Sequence, residues 1–204
     1  MLTTLCSRGL TEKVPETGKY RLGLHLLELG QLVQARSVLR LAAMPALEQL
    51  AHTTGHSANL SIPDGPDVVF VERLESGPVR QYLEHAGRRL PAHCTSSGKA
   101  MAAFNPALDR ARRNAGFPRA SARPSGRSRT GTASWQLVRA RGYATADSEA
   151  YDDTSSVAVP ILDLNRTAVA AVSLLGPTAR IRPDLPRLAE LLRVESRRIA
   201  RGLA

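Results

Sequence analysis

The run Val157-Ala158-Val159-Pro160-Ile161-Leu162-Asp163-Leu164-Asn165-Arg166-Thr167-Ala168-Val169-Ala170-Ala171-Val172-Ser173-Leu174-Leu175-Gly176-Pro177 decides the fold. Two apolar stretches flank a short polar turn at Asp163 to Arg166, and Gly176-Pro177 closes the second. Such a pattern predicts an antiparallel hairpin. Downstream, Asp184 to Leu203 spaces Leu188, Leu191, Leu192, Val194 and Ile199 as a terminal helix with an inward stripe. Upstream, a short helix is expected from Ala133 to Arg141, stopped by Gly142, and another opens at Thr95-Ser96-Ser97-Gly98-Lys99-Ala100 and runs to Phe104. Before it, Asn59 to Pro63, Val68 to Leu74 and Val79 to Leu83 carry strand formers, with Asp64-Gly65 as the first turn and a loop over Ala86 to Pro91. Two meanders separated and flanked by helices imply an α+β layer, one antiparallel sheet with helices packed on it.

Further upstream the period is helical. Ser37 to Thr53 places Leu41, Met44, Leu47, Leu50 and Ala51 inward and ends at Gly55. From Leu22 to Arg36, Leu22, Leu26, Leu29 and Val33 mark one face, and Leu24, Leu27 and Leu32 widen it. A helix apolar on more than one side needs a second partner, and another copy of itself would serve. The first twenty residues read as the end of a helix followed by a hairpin around Glu16-Thr17-Gly18, too small to fold alone.

The totals bound the function. With 204 residues, 43% of them apolar, the chain can fill one sizeable core. No run of about 18 apolar residues and no secretory leader pattern occurs, so a soluble cytoplasmic protein without membrane contact is expected. Cys6 and Cys94 lie far apart without metal-ligand spacing, which argues against a disulfide framework or a zinc site. The net charge of +10 invites a nucleic-acid partner. Lysine appears only at Lys13, Lys19 and Lys99, however, so an arginine-rich coding bias spread over the chain explains the charge equally well. The local concentration Arg110, Arg112, Arg113, Arg119, Arg123, Arg127 and Arg129 lies among Ser, Gly and Pro and reads as a solvated loop.

The chemistry concentrates at Thr95-Ser96-Ser97-Gly98-Lys99. Hydroxyls beside the unpaired N–H groups of a helix start suit a carboxylate, although Thr95 or Ser96 can equally serve as a plain helix cap. Ser96 and Lys99 have the S-x-x-K spacing of penicillin-binding enzymes, but the companion motifs are absent. A phosphate-binding P-loop would need glycine at His93 and a hydroxyl at Ala100. His52 and His56 are four apart with Gly55 between them, and surface positions explain them better than a metal. Cys94 is either a redox thiol or a packed one. Asp147 and Glu149 suggest an acid–base pair or solvated carboxylates.

Taken in order, Tyr20-Arg21-Leu22-Gly23, Leu29-Gly30, Pro45-Ala46-Leu47 with Leu50-Ala51 and Thr54-Gly55, Leu90-Pro91-Ala92-His93 with Ser97-Gly98-Lys99-Ala100, Arg141-Gly142-Tyr143-Ala144, Val157 to Ile161 and Ser173 to Pro177 resemble the IclR family of bacterial transcription regulators. The resemblance covers residues 1 to 104 and 135 to 204. It implies a remnant of a winged helix-turn-helix at residues 1–20, with Met1 to Leu10 as the end of the recognition helix and Thr11 to Tyr20 as the wing. A linker and dimerisation helix at 21–36 and a GAF-like effector-binding domain at 37–204 would follow. Without the helices that seat a recognition helix in the major groove, this stretch is expected to bind operator DNA weakly or not at all.

The same resemblance implies a non-enzymatic, ligand-responsive regulator, a homodimer or tetramer, with a small organic-acid or aromatic effector and no metal or cofactor. The effector site carries over to Val79, Tyr82, Ser96, Ser97, Asp147, Thr154, Ser156, Ser173 and Leu175. The hydroxyls would fix a carboxylate, and Val79, Tyr82 and Leu175 would form apolar wall. The sequence departs from the family at Ala146, where an acidic residue is expected, and over Asn105 to Ser134. The alternative is a small GAF-like enzyme or redox sensor using Cys94 or Ser96.

Overall fold

A computed structural model describes residues 1–76, 87–118, 132–150 and 153–203. Val79, Tyr82 and the strand expected over Val79 to Leu83 lie outside the described residues, as do Arg119, Arg123, Arg127 and Arg129. The chain divides into two compact units, Met1–Leu41 and Ala42–Ala204.

In the first unit a short helix α1 (Leu2–Ser7) precedes a hairpin of β1 (Thr11–Lys13) and β2 (Tyr20–Leu22), as the sequence predicts. Gly23 follows because a Cβ there would sit 2.0 Å from the Gly9 carbonyl oxygen, which leaves room for hydrogen alone. Helix α2 (Leu24–Ala35) buries none of its residues. Its apolar positions are open on every side, with Leu24, Leu27, Leu32 and Val33 more than half exposed. The broad apolar face read from the sequence is thus present and is uncovered among the described residues.

Helix α3 (Val38–Thr54) carries the chain into the second unit, and Pro45 inside it removes the helical bond to the carbonyl of Leu41. Six strands then form one antiparallel sheet: β3 (Ser57–Asp64), β4 (Asp67–Leu74), β5 (Arg89–Pro91), β6 (Ala144–Asp147), β7 (Thr154–Leu162) and β8 (Ala168–Pro177). Their spatial order is β5-β4-β3-β8-β7-β6. The decisive hairpin is β7–β8; its turn is held by Asp163 Oδ1, which accepts from the N–H groups of Asn165 and Thr167. The β3–β4 hairpin turns at Gly65, whose φ of +57° suits glycine.

Alternation along the strands gives the sheet two faces. One receives α4 (Ser96–Ala102), which follows a 3-10 turn over Ala92–Cys94, with α5 (Pro106–Asn114) and α6 (Thr132–Arg141). Ala100, Met101, Leu108, Trp135 and Val138 pack there with Ala144, Ala158 and Ala171. The other face carries Leu60, Val157, Ile161, Val172 and Leu174, all fully buried. Helix α8 (Leu185–Arg201), preceded by the short α7 (Thr178–Ile181), packs on β7 and β8 with Leu188, Leu192 and Ile199 buried.

Two readings need correction. The start of the arginine-rich stretch is not a solvated loop. Asn105 caps α5 by accepting from the N–H groups of Ala107 and Leu108, and Leu108 and Arg112 are buried. Arg112 donates to Asp67 Oδ1 at 3.2 Å, the Pro66 carbonyl at 3.2 Å and the Gly116 carbonyl at 2.8 Å. That arginine ties α5 to the β3–β4 turn. His56, read as a surface histidine, is 4% exposed and packs on Gly176, where a Cβ would lie 2.5 Å from its ring nitrogen.

Candidate functional site

Between the α4 face of the sheet and the start of α4 lies a concavity of about 570 Å³, its open mouth included. Six of the residues expected at an effector site line it: Ser96, Ser97, Thr154, Ser156, Ser173 and Leu175. Their gathering follows from register. Ser156 pairs with Leu175 on β8 and with Ala146 on β6, so all three side chains face the same way. Ser96 and Ser97, 2% and 1% exposed, enter from the opposite wall.

Asp147 does not line the cavity, and alternation is the reason. Its neighbour Ala146 faces the cavity, so Asp147 points to the other side of the sheet. There it accepts a 2.6 Å hydrogen bond from Ser155, whose hydroxyl also lies 2.9 Å from that of Thr178. Arg182 stands 3.6 Å from it. The acid that reaches the cavity is Glu149, which the sequence reading weighed only as a partner of Asp147.

Glu149 is committed elsewhere. Both its oxygens accept from Lys99 Nζ, at 2.5 and 2.6 Å, and the two side chains are 8% and 5% exposed. Lys99 also donates to the Thr145 carbonyl at 3.2 Å. A lysine engaged in this way is not available to activate Ser96, so the S-x-x-K spacing carries no catalytic geometry. Thr95 is the helix cap, accepting from the Gly98 N–H at 2.9 Å. Gly98 serves packing rather than phosphate, because a Cβ there would fall 2.1 Å from the Ala92 carbonyl oxygen. With the cap assigned to Thr95, the hydroxyls of Ser96 and Ser97 remain for the cavity.

Several lining residues were missed. Asn59 and Arg73 stand in the middle of strands, and Phe70 and Leu90 read as ordinary core. No local signal marks them, because their convergence needs β3, β4 and β5 to be in register. Cys94 also lines the cavity; it is 3% exposed, and its thiol points at the Pro118 carbonyl 3.8 Å away. His93 donates to or accepts no catalytic partner among the described residues; its Nε2 meets the same carbonyl at 2.8 Å, and burial holds its pKa below the ordinary value. Among the described residues no cluster of His, Cys, Asp or Glu could hold a metal, and no helix is long and apolar enough to cross a membrane.

Comparison with known proteins places this geometry. A family model described as "Bacterial transcriptional regulator IclR C-terminal" matches residues 31–201. The chain is similar to the glycerol operon regulatory protein of Streptomyces griseus, 32% identical over 197 residues that cover 94% of this chain and 76% of that protein. It is also similar to the HTH-type transcriptional regulator XynR of Escherichia coli K12, 33% identical over 186 residues, covering 89% of this chain and 73% of that protein. Among solved structures, an IclR homologue from Microbacterium hydrocarbonoxydans complexed with 4-hydroxybenzoate superposes with a TM-score of 0.78. That match covers 99% of this chain and 82% of the other at 24% identity, so it speaks to the fold. The relatives are named as regulators, not as enzymes.

Proposed function

Because this chain belongs to the IclR family of bacterial transcriptional regulators, we propose that its second unit is a sensor that binds a small organic acid and adjusts operator binding accordingly. The observation that carries this reading is the hydroxyl-lined cavity: Ser96 and Ser97 on one wall face Thr154, Ser156 and Ser173 on the other. Hydroxyls both donate and accept, so together they can hold a carboxylate, while Leu175, Phe70 and Leu90 supply apolar wall. The crystallised relative that holds 4-hydroxybenzoate supports an acid of this size.

No covalent chemistry is assigned to the site. Lys99 is held by Glu149 and does not activate Ser96, and on this reading the cavity holds its ligand without transforming it. Self-association through α2 accompanies sensing, since that helix carries leucines on every side and buries none of them. Residues 1–20 correspond to the end of the recognition helix and the wing, and 21–36 to the linker and dimerisation helix of a cytoplasmic dimer or tetramer. Ligand and operator binding are coupled through the geometry of that assembly.

A thermal-shift screen with small carboxylates, 4-hydroxybenzoate included, tests the sensor. An acid present at a hundred times its Kd should stabilise the fold by about 2.7 kcal/mol. The gain should vanish in the Ser96→Ala, Ser97→Ala double variant. Absence of stabilisation by every acid, or full stabilisation of that variant, would refute the reading.

A further inference from the structure

We propose that Asn59, with Ser173 beside it, sets the specificity of the cavity and selects an acid that also carries a hydroxyl group. The inference rests on the reading that the cavity takes a small acid. Asn59 lies on β3, and the register aligns it with Arg73 of β4 on one side and Ser173 of β8 on the other. A cation, an amide and a hydroxyl therefore occupy one row across three neighbouring strands, each about 5 Å from the next. All three line the cavity.

Asn59 is the anomaly in that row. The residue is 2% exposed, and its Oδ1 is shut off from solvent with no hydrogen-bond partner. Buried amide oxygens are ordinarily satisfied, and packing alone would be served by an apolar residue such as the adjacent Ala58 or Leu60. Ser57 and Ser61 lie on the same strand face and their hydroxyls also lack partners, but neither lines the cavity. Of the three, Asn59 alone lines the cavity.

The missing group must donate to Oδ1. A carboxylate cannot, because it only accepts, and a hydrocarbon cannot. An alcohol or phenol O–H donates to Oδ1 and can accept in turn from the amide N–H or the Ser173 hydroxyl. The hydroxyls of Ser96 and Ser97 remain for the carboxylate, so the two ends of the effector are read by different walls.

Isothermal titration with three matched pairs tests this: lactate and propionate, malate and succinate, 4-hydroxybenzoate and benzoate. In the wild type the hydroxy acid of the best-binding pair should bind at least about tenfold more tightly than its partner. Asn59→Leu should bring that ratio to within about twofold, and Ser173→Ala should shrink it part-way. Equal binding of both members in the wild type overturns the proposal and leaves the sensor reading intact. Persistence of the ratio in a folded Asn59→Leu protein likewise overturns it. Failure of all six acids to bind removes both.

Discussion

The two faces of the sheet are made by the same strands and do opposite things. On the α8 side, Leu60, Val157, Ile161, Val172 and Leu174 are fully buried against helical leucines. On the α4 side, one residue away along each strand, stand Asn59, Ser156 and Ser173 around a cavity. The first face is filled with apolar side chains at these positions; the second keeps hydroxyls and an amide at positions that core packing would give to valine. The α4 side packs Met101, Trp135 and Val138 over part of its area and leaves the rest incomplete, as a binding site requires.

That contrast can be broken from either side. Leu192→Ala on α8, where the side chain is fully buried, should cost about 4 kcal/mol in chemical denaturation, with the acid affinity of the surviving folded protein nearly unchanged. Lys99→Met sits on the boundary. It strands Glu149 in a site where it is 8% exposed, and should cost about 3 kcal/mol, with recovery in the Lys99→Met, Glu149→Leu double variant. If the single variant is as stable as wild type, the pair is not buried as described.

A smaller effect comes from pH. Burial, reinforced by the nearby Arg180, lowers the pKa of His56. Below the unfolded value near 6.5 the unfolded chain binds a proton that the folded ring refuses, so stability should fall as pH drops through that region. Melting temperatures between pH 7.5 and 5.5 should show this decline, and His56→Gln should flatten it; a level profile in the wild type would contradict the burial. Smallest of all, Ser156→Ala should change stability by no more than about 0.5 kcal/mol while weakening acid binding measurably. A large loss of stability there would make Ser156 a core residue and dissolve the distinction between the faces.

How much of this was legible in the sequence depended on the length over which each signal extends. The hairpins β3–β4 and β7–β8 and helix α8 announce themselves over long apolar runs and turn residues. Strand β5 has three residues and ends in Pro91, so it reads as loop until β4 offers an edge. Helix α5 was hidden by its arginines, although Asn105-Pro106 is a cap signal that deserved more weight than the charge. At the site, Ser96, Ser97, Ser156 and Ser173 were nameable from the family resemblance, whereas Asp147 failed on parity, which only the register of β6 on β7 fixes. If Ser156 faces the cavity, then the paired strand contributes 146 and not 147. Asn59 and Arg73 could not be found this way, because an interior strand residue acquires its role only from what two neighbouring strands set beside it.

Alternation has one last consequence. Ser156 is bonded directly to Val157, and Ser173 to Leu174, so every cavity hydroxyl on the sheet is joined through a single peptide to a side chain wedged beneath the opposite layer. A ligand that shifted such a hydroxyl would shift the backbone that also carries the buried side chain behind it.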